Sequence, residues 1–354
     1  MIERELPFNL VRGVLAWVVG ILMIPLTALP FVAYAHYSAE GRLIALHVDR
    51  AFRGPAFERL DRTDARYVSA NHLHYTNAVM VLNVHAVMDG AATPDGAPNP
   101  ESSVLPVKLF AADMQMLRDA GYHTVTPEQI TAWRAGVLDL PPNALLLTFD
   151  DGRTDTVLNA APILRRVGMR ATVFAIGDAW TKSPLYEASA EELRSLQRQG
   201  WSIEAHASEP HSGIQAGGGE RLPYLSARRS IGGRLETLTQ FRSRAASEYR
   251  DARTAAEKIA NRPVVAFAWP FGAYGADTRT NDGRVAAINL AEARRVYSLG
   301  FNEDGQTSFN LLTKDTDPMR IARFEIVPTL TPRQLFERLE LAIAASAPEV
   351  SRAG

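Results

Sequence analysis

The run Leu145-Leu146-Leu147-Thr148-Phe149-Asp150-Asp151-Gly152 constrains this chain more than any other stretch. A strand that is apolar on both faces is usually a buried parallel strand. This one stops at two adjacent carboxylates and a glycine. Unpaired charge is costly to bury, so two acids at the end of such a strand call for a cation or a polar partner there. A metal ion, with one carboxylate kept beside it as a base, meets that need. Further ligands are then expected at the ends of other strands.

The remaining pattern supplies those strands. Ala78–Val84 reads as a buried strand ending at His85, followed by a turn-rich loop from Asp89 to Ser103. Leu109–Ala120 reads as an amphipathic helix that stops before Gly121. Thr126-Pro127-Glu128-Gln129, Ser189-Ala190-Glu191-Glu192 and Thr331-Pro332-Arg333-Gln334 are helix starts, each with a hydroxyl N-cap and a Glu or Gln three residues on. A helix through Pro162–Val167 precedes a strand at Ala171–Ile176. Further strands are expected at Trp201–Ala205, Val264–Ala268, Val296–Leu299 and Ile321–Phe324, with a long helical pattern over 225–260. Alternating strands and helices imply right-handed βαβ units on a parallel sheet. No glycine-rich nucleotide fingerprint is present. The expected fold is therefore α/β, a distorted seven-stranded (β/α) barrel, whose site gathers at the C-terminal ends of the strands.

Composition narrows the function classes. The 354 residues are 46% hydrophobic and 22% charged, with a net charge of −1 and no cysteine. Near-neutral charge gives no electrostatic case for nucleic acid. The lack of cysteine removes disulfides, thiolate zinc sites and cysteine nucleophiles. From Gly13 to Ala35 there is no charged residue, and roughly 20 apolar residues suffice to span a bilayer. The segment reads as an uncleaved transmembrane anchor or as a signal peptide cut after Ala33-Tyr34-Ala35, and its length favours the anchor. The resulting division is a tail at 1–12, the anchor or signal at 13–35, a polar juxtamembrane stalk at 36–75, a catalytic domain at 76–345 and a tail at 346–354. His72 and His74, in the stalk, read as a surface-loop pair.

The residues that follow the strands form a constellation. His85, Asp150-Asp151-Gly152, His206 with His211, and Trp269-Pro270-Phe271-Gly272 all converge on one mouth in a barrel. Two imidazoles and one carboxylate make an open three-ligand site, and the second carboxylate is left to act as base. Each piece alone is a common turn or loop; their joint order is specific. Asp155 reads as a helix cap rather than a ligand.

Thr148-Phe149-Asp150-Asp151-Gly152, His206-Ala207-Ser208-Glu209-Pro210-His211 and Phe267-Ala268-Trp269-Pro270-Phe271-Gly272 resemble three motifs of the polysaccharide deacetylases, carbohydrate esterase family 4 with its NodB homology domain. The form of the second and third motifs is most similar to the poly-β-1,6-N-acetyl-D-glucosamine deacetylase branch. The upstream His85, and Phe110 to Thr126, also match, so the resemblance covers residues 78–345. It implies a hydrolase that removes acetyl groups from an N-acetylhexosamine polymer. In that reading Asp150 is general base, and Asp151, His206 and His211 hold a divalent metal, zinc in most members and cobalt or nickel in some. A metal-bound water attacks the acetamide, and the Phe271 N–H holds the oxyanion. Trp269, Pro270 and Tyr274 form the substrate wall. Ala207 and Ala268 depart from the usual Ser/Thr and from an Arg that orients the base. No histidine follows His211 to serve as acid, which leaves His85 for that role. The resemblance also implies an extracytoplasmic domain, membrane attachment through the N-terminal helix and a link to exopolysaccharide export in biofilm formation. Two other functions share these features: a carbohydrate-binding relative with little or no activity, and an esterase or amidohydrolase on a different acyl substrate.

Overall fold

The computed structural model describes residues 39–89, 103–177, 179–182, 185–208, 213–303 and 309–352. The expected membrane segment 13–35 and His211 lie outside the described residues. Among the described residues, no helix is long and apolar enough to cross a membrane. The chain divides into two compact units, Met1–Gly54 and Pro55–Gly354. In the first, the described element is the helix Ala39–Phe52.

The second unit is built on parallel strands. They are β1 (Val79–Val84), β2 (Ala144–Phe149), β3 (Thr172–Ile176), β4 (Ser202–Ala207), β5 (Ala266–Ala268), β6 (Leu299–Asn302), β7 (Ile321–Ala322) and β8 (Phe324–Glu325). Their hydrogen-bonded order is β7-β6-β5-β4-β3-β2-β1-β8, with His123–Thr124 pairing additionally to β2. β7 pairs with β6 and β8 with β1, yet only Arg323 separates β7 from β8. The two ends of the sheet are thus one stretch of chain, and the sheet curls into a near-closed barrel of seven staves.

Strand alternation divides the apolar residues into two layers. Val79, Val81, Leu146, Phe174, Ala266, Ala268, Leu299, Phe301 and Ile321 pack together inside the barrel. Met80, Leu82, Val84, Leu145, Leu147 and Phe149 join the sheath, where Phe110, Met114, Leu164, Leu196, Tyr249 and Leu339 come from the surrounding helices. Each large side chain so buried contributes about 1.5–3 kcal/mol. Continuing the inward phase upward places Asn83, Thr148, Asp150, His206, Arg323 and Glu325 at the C-terminal rim.

The three expected helix starts all form capping boxes, at Thr126, Ser189 and Thr331. The long helix is shorter than its periodicity suggested. It runs Leu238–Ala260 from a Thr237–Gln240 capping box. Before it, Ser230–Ile231 and Arg234–Leu235 pair about the turn at Gly232-Gly233, both of positive φ, which no helix accommodates. The region read as a stalk also has regular structure. Residues Arg62–Asn71 are helical, and Leu73–Thr76 pairs antiparallel with Glu349–Arg352 from the expected C-terminal tail. Leu60, Val68 and Tyr75 enter the main core, so this part of 36–75 packs with the barrel. His74 is a strand residue, its Nε2 3.1 Å from Nε2 of His72.

One buried group opposes stability. Asp113, on the helix Val107–Asp119, is 1% exposed, and neither carboxylate oxygen has a hydrogen-bond partner among the described residues. Burial alone pushes its pKa well above the usual 3.8. A carboxyl with a raised folded pKa loses stability as pH climbs through and beyond its unfolded value. Asp113→Leu is therefore expected to stabilise the protein at pH 7 by about 1–3 kcal/mol. Urea denaturation at pH 7 and pH 4 should show that gain shrinking at the lower pH; an equal gain at both would refute the account.

Candidate functional site

The turn after β2 separates the two acids. Thr148 and Asp150 keep the inward phase of Leu146, and the chain then turns through Asp151 (φ 71°) and Gly152 (φ 77°). Left-handed backbone is uncommon for a non-glycine residue, and strain of this kind collects at functional sites. Asp150, 1% exposed, points into the barrel mouth, while Asp151 is only half-buried beside β4.

Asp150 is held by Arg323. Nη1 donates to Oδ1 at 2.6 Å and Nη2 to Oδ2 at 2.7 Å, a bidentate pair with both partners buried. Burial alone would raise the Asp150 pKa. The Arg323 charge, with His206 and His85 nearby, outweighs it and holds the carboxyl well below the usual range. Asn83 bridges the cluster, its Nδ2 donating to Glu303 Oε1 at 2.8 Å and its Oδ1 accepting from Arg323 Nη1 at 3.1 Å.

His85 lies over the same cluster. Its Nε2 is 3.3 Å from Glu303 Oε1 and 3.8 Å from Asp150 Oδ2. Its Nδ1 is 3.1 Å from Glu325 Oε1, a close ion contact outside hydrogen-bonding alignment. Burial favours the neutral ring, but Glu303, Glu325 and Asp150 together raise the His85 pKa well above 6.5. Asp155 steadies this corner. It makes no cap bond, contrary to its reading from sequence. Instead it accepts from the Val87 N–H at 2.7 Å and from Arg153 Nε at 2.8 Å, because the buried backbone beyond His85 needs an acceptor there.

His206 approaches Asp151 from β4. Its Nδ1 is 2.8 Å from the Ala268 carbonyl. A carbonyl only accepts, so Nδ1 carries a proton, and Nε2 faces Asp151 Oδ1 3.5 Å away. An imidazole with its second nitrogen fixed by a backbone carbonyl is how metal-ligating histidines are commonly held. With Nδ1 so held, a deprotonated Nε2 and the Asp151 carboxylate would offer a divalent cation two donors on one side, so this donor set fits a metal. His85, Asp150 and Glu303 also place ligand atoms within 4.8 Å of one another. There, however, Arg323 already engages both Asp150 oxygens, and a dication would have to sit beside its guanidinium.

The Trp-Pro-Phe-Gly segment divides between core and mouth. Trp269 was expected to face substrate, but it is 0% exposed, packs over Gly300 and donates from Nε1 to the Tyr249 hydroxyl at 3.1 Å. Its ring fills the space left by the missing Gly300 side chain and is unavailable to a ligand. Phe271 is 46% exposed and left-handed (φ 59°). Its peptides are fixed on both sides. Pro270 O accepts from Ala273 N at 3.0 Å, and Phe271 O accepts from Arg279 Nη1 at 2.7 Å. Pro270 is half-buried. Tyr274 is buried against Trp269, with its hydroxyl accepting from Arg320 Nε at 3.2 Å. A Cβ on Gly272 would lie 2.6 Å from the Glu303 amide nitrogen, so glycine there lets the motif close on the cluster.

Arg323, Glu303, Glu325 and Asn83 were missed from sequence. The available signal was an arginine at an inward position of the apolar stretch Ile321–Ile326, since arginine is seldom buried without an acidic partner.

A near-closed parallel barrel, with carboxylates, imidazoles and a guanidinium gathered at its C-terminal rim, defines the class as a (β/α)-barrel with an enzyme-like mouth. Within it, residues 138–286 match the family model described as "Polysaccharide deacetylase". It is 35% identical over 102 residues to the candidate polysaccharide deacetylase YxkH of Bacillus subtilis, covering 29% of this chain and 36% of that protein. It is 28% identical over 220 residues to the poly-beta-1,6-N-acetyl-D-glucosamine N-deacetylase of Escherichia coli K12, covering 55% of this chain and 31% of that protein. The chain thus spans about a third of the length of these curated relatives. A de-N-acetylase from Aggregatibacter actinomycetemcomitans superposes with a TM-score of 0.61 at 20% identity, covering 73% of this chain and 99% of that one. The deacetylase domain of BpsB from Bordetella bronchiseptica superposes at 0.55 and 22%, covering 70% and 97%. At these identities the superpositions establish the fold.

Proposed function

We propose that this protein is a metal-dependent hydrolase that removes N-acetyl groups from an N-acetylhexosamine polysaccharide. The observation that carries the reading is the division of the Asp150-Asp151 pair, one acid paired with Arg323 inside the barrel and the other facing Nε2 of His206. Asp151 and His206, with His211 by the family resemblance, would hold the metal, zinc by the same resemblance and cobalt or nickel as alternatives. When bound, the metal would supply Lewis-acid polarisation of the acetamide carbonyl.

The chain's own groups account for the proton movements. Asp150, kept anionic by Arg323, accepts the proton of the attacking water. The Phe271 N–H, on a peptide fixed from both sides, donates to the developing oxyanion. His85, kept protonated by Glu303 and Glu325, delivers a proton to the leaving amine. A group meant to donate a proton at neutral pH needs its pKa raised to or above that pH, and His85 meets this condition. Glu325→Gln should therefore move the basic limb of the kcat profile down by about one pH unit. A limb that stayed in place would remove His85 from the acid role.

The segment 13–35 is proposed to anchor or export the chain, which would set the domain outside the cytoplasm, near export machinery for an exopolysaccharide. The uncharged run is the support for this. The reaction is tested by acetate release from β-1,6- and β-1,4-linked N-acetylglucosamine oligomers. Release should be lost with chelator and restored by zinc. Release that is unaffected by thorough chelation would overturn metal dependence, and no release from either series would overturn the substrate class.

A further inference from the structure

A cleft of about 180 Å³ opens beside the catalytic cluster, between Gly272, Tyr274, Ala276, Asp277, Glu303 and Arg320. It shares two walls with the site. Glu303 turns Oε1 to His85 and Asn83, and Gly272 follows Phe271 directly. We propose that this cleft is the subsite for the sugar next to the residue being deacetylated, with Arg320 and Asp277 reading its hydroxyls; the assignment rests on the deacetylase reading above.

Size and chemistry both favour one sugar ring. Pockets for drug-sized ligands run to about 300–1,000 Å³, so this cleft takes a smaller unit. Its functional groups are a guanidinium, two carboxylates and a phenol hydroxyl, and its apolar surface is limited to Ala276 and the tyrosine edge. An acyl chain or an aromatic group would find little to bury against, whereas a ring bearing several hydroxyls meets donors and acceptors together. The Tyr274 hydroxyl accepts from Arg320 Nε at 3.2 Å, which sets the guanidinium at the cleft wall.

The cleft is also wired to the expected oxyanion donor. Asp277 Oδ1 accepts from the Arg279 backbone N–H at 2.8 Å, and Asp277 Oδ2 accepts from Arg279 Nε at 2.8 Å. Arg279 in turn donates to the Phe271 carbonyl at 2.7 Å. A sugar engaging Asp277 would therefore press on the residue that carries the Phe271 peptide. Occupancy of the cleft is expected to matter for long substrates and to be irrelevant to an acetyl donor too small to reach it.

The test compares the wild-type protein with Arg320→Ala and Arg320→Lys. Substrates are N-acetylglucosamine oligomers of increasing length and a small acetyl ester such as 4-methylumbelliferyl acetate. In the wild-type protein kcat/KM should rise with oligomer length. Arg320→Ala should lower it about tenfold on the longer oligomers, through KM, and leave the ester rate unchanged, with partial recovery in Arg320→Lys. An equal loss on ester and oligomer, or an unaltered length dependence, would overturn the subsite. Calorimetric binding of the longest oligomer separates this from failure of the function itself. If the wild-type protein releases no acetate from any oligomer, the deacetylase reading falls. The cleft is then judged by affinity alone, and equal affinity of wild-type and Arg320→Ala overturns it.

Discussion

Arg323→Met is expected to cost about 3–5 kcal/mol of stability at pH 7, because it strips the partner from a buried carboxylate. Arg323 and Asp150 are 1% exposed or less, and the guanidinium also lies 3.3 Å from Glu303. Methionine fills much of the volume but removes the bidentate partner of Asp150 and leaves His85 as the neighbouring cation for two acids close together. The sign of the pH dependence follows from Asp150. Its folded pKa lies below the unfolded value, so the pair's contribution is full above the ordinary carboxylate range and is lost as pH falls below that range and through the depressed folded pKa. The cost of Arg323→Met should accordingly be large at pH 7 and smaller at pH 3. The double variant with Asp150→Asn should recover part of the loss, since a neutral amide tolerates burial better than an orphaned charge. Chemical denaturation of the four proteins in that cycle measures the coupling. A single-variant loss below about 1 kcal/mol would mean that the pair behaves like a surface salt bridge.

The place of Arg323 also shows where the sequence could and could not be read. The strand before Asp150 and the three helix starts were legible because each rests on local chemistry: an unbroken apolar run, or a hydroxyl and an amide or carboxyl three residues apart. His85 and the acids were legible because they directly follow such strands; His206 was found although it lies within β4, which extends to Ala207. Glu303 escaped notice because its strand was expected at Val296–Leu299 and runs instead over Leu299–Asn302, so the residue at its end went unread. Backbone pairing with β5 and β7 sets that boundary, and pairing is not written in one segment. Arg323 was hidden differently. It supplies the guanidinium that Ala268 does not, from a position much further along the chain, and the Asp150 pairing that reveals it is a tertiary contact. Arg323 lies between β7 and β8, where the barrel closes.

Asp150→Asn and Asp151→Asn are expected to fail in different ways, although the residues are adjacent. Asp150→Asn keeps the side-chain shape beside Arg323 and removes the proton acceptor. Loss of a positioned general base typically costs about 10²–10⁴-fold in rate. The drop should appear in kcat, with KM and metal content close to those of the wild-type protein. Asp151→Asn leaves the Arg323–Asp150 pair untouched and takes away the anionic donor facing His206 Nε2. It should lower the bound metal measured by elemental analysis, and added zinc should restore part of its activity, because the amide oxygen remains a weak donor. Zinc should do nothing for Asp150→Asn. The contrast follows from one backbone event: Asp150 continues the inward phase of β2, and the left-handed turn at Asp151 sends the next carboxylate out toward β4. If Asp150→Asn lost metal or Asp151→Asn kept it, the two roles would have to be exchanged or shared. A full rate in Asp150→Asn would leave the buried Arg323 pair as a purely structural clasp across the barrel seam.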